Sequence, residues 1–176
     1  MLFGDMPESV LALFGGPAGA GKTTLAAAWC ETRDWSVHVQ LDEVRSLIVG
    51  GYADPQAGGS VAERQYSASV AACCVLARAF LSEGYDAAID DVFEPEVFER
   101  EWKQLLMDLP FRLVVLLPTL EETLRRSASR AKRVKAEITR IQHAACTAWP
   151  VEIRFDTTGQ DVDSSLAVVR ESGLLP

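Results

Sequence analysis

A chain of 176 residues corresponds to one domain, at roughly 100–200 residues each, and is long enough to bury a core. Lys plus Arg number 17 against 25 Asp plus Glu, giving a net charge of −8 with 48% hydrophobic residues. This balance excludes a disordered or collagen-like chain and counts against a protein that coats long nucleic acid. No apolar run approaches the roughly 18 residues of a membrane span. The first basic residue is Lys22, so the positive region of a secretory signal is missing and a cytoplasmic protein is expected.

Short apolar runs alternate with helical-period segments, the pattern of a parallel sheet wrapped by helices. In chain order, strands are predicted at Val10–Phe14, Val37–Gln40, Ala87–Asp90, Leu113–Leu117 and Val151–Phe155. Helices are predicted over Gly21–Thr32 and Asp42–Val49, and then over Ser60–Gly84, where Tyr66, Val70, Cys73, Ala77 and Phe80 recur on one face. Between the last two lies Gly50–Ser60, whose crowded Gly, Pro, Asp and Ser predict a mobile loop over a site. Pro95 opens a helical turn that carries Phe98, Trp102 and Leu105 on its apolar face. Thr119 with Glu122 has the spacing of a capping box and starts a helix running toward Ala145, with a break near Ser127–Lys132. The last helix spans Asp163–Glu171 and stops at Gly173. Cys30, Cys73, Cys74 and Cys146 lack any C-x-x-C spacing and are expected as buried thiols. With only two histidines, His38 and His143, proton transfer falls to a carboxylate.

The strongest chemical signal is Gly16-Pro17-Ala18-Gly19-Ala20-Gly21-Lys22-Thr23-Thr24, which fits G-x-x-x-x-G-K-[ST] between an apolar strand and an alanine-rich helix. Glycines let the backbone N–H groups curl around a phosphate, Lys22 reaches the β and γ phosphates, and Thr23 can ligate magnesium. Asp42 directly follows the second strand, one helical turn from Arg45, so both can act on one ligand and Asp42 can accept the proton of an attacking hydroxyl. The plainer alternative is that Asp42 caps its helix and pairs with Arg45. Asp90 and Asp91 close the third strand. Two adjacent side chains at a strand end cannot both point into one site, so Asp90 is assigned to magnesium and Asp91 to the acceptor or a helix cap. Between Arg125 and Arg140, seven basic residues and one acidic residue give a local charge of +6. Arg130 and Arg133 could close over a polyphosphate, and Arg126 could stack on a base or hold a phosphate. The alternative for all of them is a solvated helix face.

Together these residues resemble the small P-loop kinases, and within them the chloramphenicol phosphotransferase-like and polynucleotide-kinase-like proteins. The resemblance spans nearly the whole chain and includes Ile89-Asp90-Asp91-Val92-Phe93, the Arg130-x-x-Arg133-Val134 segment and Phe155-Asp156-Thr157-Thr158. It implies a three-layer α/β/α sandwich with a five-stranded parallel sheet in the order 2-3-1-4-5, Asp42 as general base, and a helical arginine lid at about 125–140. It also implies that Thr157–Gln160, Thr158 among them, lie near the adenine. The Asp42-x-x-Arg45 pair followed by Gly50-Gly51 is more similar to polynucleotide kinases. The expectation is one domain over residues 1–176 that uses ATP and magnesium to phosphorylate a hydroxyl of a small molecule, an antibiotic among the candidates. The alternatives are a nucleoside, nucleotide or polynucleotide 5′-hydroxyl kinase, and an ATP-binding switch with slow hydrolysis.

Overall fold

The structure, a computed structural model, describes residues 9–129 and 134–176. Five strands, β1 (Leu11–Gly15), β2 (Ser36–Gln40), β3 (Asp86–Asp90), β4 (Phe111–Leu116) and β5 (Arg154–Phe155), form one parallel sheet in the order β2-β3-β1-β4-β5. Central β1 is buried throughout, with Leu11 and Leu13 facing one layer and Ala12 and Phe14 the other. On the first face pack Val70 and Cys73 of α3 (Ser60–Ser82), together with Trp102 and Leu106. Leu25 and Trp29 of α1 (Lys22–Glu31) cover the second face with Leu166 and Val169 of α8 (Val162–Glu171). Because β1 lies between β3 and β4, the chain departs to one side of it and later crosses to the other. That reversal opens a crevice at its carboxyl end.

Helix α2 (Leu41–Ser46) begins at the residue after β2, so only Leu41 separates Asp42 from the strand end. The following loop is fastened to α3: Gln65 donates to Gly51 O (2.8 Å) and accepts from the Ala53 N–H (2.9 Å), while Asp54 caps a 3-10 turn at Pro55–Ala57. The first part of the loop expected as a mobile cover is thus fastened to α3.

Three local differences from the sequence pattern have physical causes. Between α4 (Pro95–Val97) and α5 (Lys103–Leu106), residues Phe98–Trp102 wind as a π turn. One extra residue per turn rotates the apolar face, so Leu106 is fully buried where the α-helical period selects Leu105, which is 36% exposed. β5 pairs only through Arg154–Phe155, because Val151–Ile153 leave Pro150 as a 3-10 turn on the sheet edge. Phe80 sits at the rim of the core and contacts Tyr85 edge-on. Helix α6 (Leu120–Ser129) runs through Ser127–Ser129, α7 (Ala136–Cys146) begins after the non-helical Val134 and Lys135, and the rest of the break predicted near Ser127–Lys132 lies outside the described residues. The Thr119 hydroxyl accepts from the Glu122 N–H at 3.4 Å, half of the capping box. The Glu122 carboxylate instead binds Arg125 and Arg126.

All four cysteines are buried free thiols, and burial pushes Cys73 and Cys146 up to about 12 and Cys30 and Cys74 to about 11. Among the described residues, no helix is long and apolar enough to cross a membrane.

Candidate active site

The glycine-rich segment leaves β1 and turns back into α1. A Cβ on Gly16 would stand 2.2 Å from the Leu116 carbonyl oxygen, and one on Gly19 2.4 Å from that of Thr123, so both positions require glycine sterically as well as through their positive φ. The loop is strapped down by the Gly16 N–H donating to Val92 O and by the Ala18 N–H donating to Gln142 Oε1 of α7. Lys22 Nζ donates to Pro17 O at 3.0 Å. The first turn of α1 carries no acidic residue of its own, and its positive end favours an anion.

Two carboxylates meet this loop from β3. Thr23 Oγ1 donates to Asp90 Oδ2 at 2.6 Å, and Asp90 Oδ1 lies 2.8 Å from His38 Nε2 on β2. Asp91 accepts from the Tyr66 hydroxyl at 2.6 Å, and that hydroxyl in turn accepts from Trp102 Nε1 at 3.1 Å. Burial pushes the Asp91 carboxyl up to about 6 against the pull of the Tyr66 and Val92 hydrogen bonds and the Lys22 charge, and the Asp42 charge adds to the rise. Lys22, Asp42 and Asp91 therefore share one electrostatic neighbourhood. The two side chains diverge as the pleat requires, Asp90 toward Thr23 and His38 on the α1 side and Asp91 toward Tyr66 on the α3 side. Two residues beyond Asp91, Phe93 takes φ +51, a left-handed conformation rare for an aromatic residue, and the chain turns back on itself. Phe93 is held there by edge contacts with Phe98 and Trp102 and by the Trp149 Nε1 bond to its carbonyl.

Arg45 departs from its expected place. It is only 5% exposed, and its guanidinium donates to the carbonyls of Ala62 (3.0 Å) and Ala53 (3.5 Å), stapling the loop after α2 to α3. Asp42, one turn earlier, is exposed.

On the other side of the loop lies a cavity of about 400 Å³ walled by Gly21, Thr24, Arg126, Thr157, Gly159 and Gln160. Arg126 forms part of its wall, bonded to Glu122 Oε1 (2.6 Å) and to Thr157 O (2.9 Å). The Arg125 and Arg126 bonds hold the Glu122 carboxyl down at about 2. Thr158 is not part of that lining. Its hydroxyl accepts from the Thr119 N–H and donates to Asp156, tying the loop after β5 to the exit of β4. Arg130 and Arg133 lie outside the described residues.

A magnesium ion fits the oxygens of Thr23 and Asp90. It is a hard cation that commonly takes one or two protein oxygens and completes its shell with phosphates and water. Among the described residues, no cluster of three His, Cys, Asp or Glu offers a different metal cage.

A family model described as an AAA domain matches residues 11–151, and the chain belongs to that family, whose fold here is that of the P-loop kinases. Solved structures agree on the fold. A tunicamycin resistance protein from Deinococcus radiodurans superposes with a TM-score of 0.69 at 18% identity, over 94% of this chain and 96% of that one. A sugar kinase from Janibacter sp. gives 0.68 at 15%, over 96% and 99%. A thymidylate kinase from Candida albicans gives 0.64 at 13%, over 95% and 93%. No curated protein matches the sequence.

Sequence reasoning missed Tyr66, Gln142 and Phe93 as parts of this site. Tyr66 was legible only as one more apolar position in a helical period, Phe93 only as the end of the Ile89–Phe93 segment without a role of its own, and Gln142 belongs to no motif.

Proposed function

We propose that the protein transfers the γ-phosphate of ATP to a hydroxyl group of an uncharged small molecule, with residues 1–176 acting as one kinase domain. The observation that carries this reading is the shared neighbourhood of Lys22, Asp42 and Asp91 beside the phosphate loop, which sets carboxylates where an acceptor hydroxyl would meet the γ-phosphate. The loop amides and Lys22 would bind and orient the β and γ phosphates, and the cavity beyond Thr24 would take the base and ribose. Asp42 would accept the hydroxyl proton as the new O–P bond forms and the bond from the γ-phosphorus to the bridging oxygen breaks, releasing ADP. Magnesium, held by Thr23 and Asp90, would neutralise phosphate oxygens when bound.

Arg45 favours a small uncharged acceptor over a nucleotide or polynucleotide. Its Nη2 is engaged by two backbone carbonyls inside the fold, which draws the guanidinium away from a phosphate, and the charges acting on Asp91 beside the loop include the carboxylate of Asp42. An antibiotic hydroxyl belongs to this acceptor class, as the tunicamycin resistance neighbour suggests.

The test is a panel of hydroxyl compounds, with antibiotics, sugars, nucleosides and the matching nucleoside monophosphates, screened for acceptor-dependent ADP release. A neutral compound should score and its phosphorylated partner should not. With the true acceptor, Asp42→Asn should lower kcat by roughly 10²–10⁴-fold. A preference for the phosphorylated member of each pair would overturn the assignment of an uncharged acceptor.

A further inference from the structure

We propose that His38 is a positioning residue that fixes the carboxylate of Asp90 in the orientation its magnesium role requires. The inference rests on the assignment of Thr23 and Asp90 to the metal side of the phosphates.

β2 pairs with β3 in a register that sets Gln40 opposite Asp90 and His38 opposite Ala88, so the His38–Asp90 contact is a diagonal cross-strand pair. Alternation sends Val37 and Val39 into the core on the α3 side, and it leaves His38 on the α1 side with Asp90 and Thr23. Both side chains are largely removed from solvent, at 12% and 8% exposure. At this place in a strand an aliphatic residue would satisfy the packing, and only a side chain with an N–H donor in reach meets the second carboxylate oxygen.

The Asp90 carboxylate is thereby used at both ends. Oδ2 accepts from the Thr23 hydroxyl and Oδ1 faces His38 Nε2 at 2.8 Å. A carboxylate oxygen can only accept, so Nε2 carries the hydrogen. Clamped on Oδ1, the carboxylate cannot swing about its χ2 bond, and Oδ2 stays beside Thr23. Partners of this kind behind a ligating carboxylate typically change metal affinity by about 10–100-fold.

With only two histidines in the chain, the ring tautomer of His38 can be read directly by long-range ¹H–¹⁵N NMR. The Nε2–H form is expected, and the Nδ1–H form would overturn the proposal. Manganese affinity is then measured by electron paramagnetic resonance in the presence of a non-hydrolysable ATP analogue. His38→Leu should weaken it by about tenfold or more. Affinity for the analogue without metal should stay within about twofold, and His38→Gln, whose amide can donate from a similar reach, should recover most of the loss. A His38→Leu protein that melts at a lower temperature yet binds manganese as tightly as wild type would make His38 a stability residue only and overturn the proposal. Should His38→Leu not fold, the tautomer decides. Failure of the wild type to take up manganese with the nucleotide is a different result: it would remove the phosphotransfer assignment and this inference with it.

Discussion

Asp91→Asn separates the cost of Asp91 from its use. In the folded protein the carboxyl titrates near 6 instead of the usual 3.8, with burial as the main cause. The folded state therefore keeps this proton to higher pH than the unfolded chain does. Between pH 4 and 6 the unfolded chain gives up the proton first, so the contribution of Asp91 to stability falls as pH rises through that window and levels off above it. A difference of about two pKa units at 1.36 kcal/mol each makes the fall about 3 kcal/mol in size. Asparagine has a similar shape and keeps an oxygen for the Tyr66 hydroxyl, but it has no charge to bury. Urea unfolding followed by tryptophan fluorescence, at intervals from pH 4 to 8 with EDTA and no nucleotide, measures both proteins. The variant should be near wild type at pH 4 and about 3 kcal/mol more stable at pH 7.5. The same variant should be a poorer enzyme, with a raised acceptor KM. A stability difference that is constant across pH, or a wild type that gains stability relative to the variant between pH 4 and 6, would refute the reasoning.

Lys22→Ala should abolish turnover and weaken magnesium–ATP binding in calorimetry, because the loop's remaining donors are backbone amides without a full charge. Gly16→Ala places a Cβ 2.2 Å from a backbone carbonyl at φ +131, and the loop must rearrange. Nucleotide binding should be lost, with wild-type affinity by calorimetry as the contrary result. Tyr66→Phe strips a donor from Asp91 and an acceptor from Trp102 Nε1, which should cost about 1–3 kcal/mol in urea unfolding and raise the Asp91 pKa above its present value.

Much of the frame was legible because it follows from local chemistry. The glycines at 16, 19 and 21 mark a loop by their spacing alone, and apolar runs followed by Asp42 or Asp90 mark strands whose ends meet a polar crevice. What stayed hidden depends on contacts distant in sequence. Arg45 had the right spacing to share a ligand with Asp42, yet no one-dimensional pattern tells that Ala53 and Ala62 offer it two carbonyls. Leu105 was chosen over Leu106 because a period of 3.6 residues cannot anticipate a π turn. The helical period marks Tyr66 only as a position on the apolar face, and its hydroxyl matters because α3 lies against Asp91.

The adjacent pair Asp90 and Asp91 shows how the fold gives two neighbours different tasks. Asp90 is the last residue of β3 and is clamped by Thr23 and His38. Asp91 follows it with its N–H still bonded to Phe14 O and its carboxylate held by Tyr66 on the opposite face, two residues before the left-handed backbone at Phe93. That backbone is costly, since a left-handed conformation disfavours an L-residue by roughly 1–2 kcal/mol. Two edge-on aromatic contacts, from Phe98 and Trp102, are of a kind that contributes about 0.5–1.5 kcal/mol each beyond burial, enough to offset it. The π turn belongs to the same device. Phe98 and Trp102 bound it, and both rings reach Phe93 while Trp102 also points its Nε1 at the Tyr66 hydroxyl. The aromatic cluster behind the crevice therefore holds the strained backbone at Phe93 and, through Tyr66, the Asp91 carboxylate.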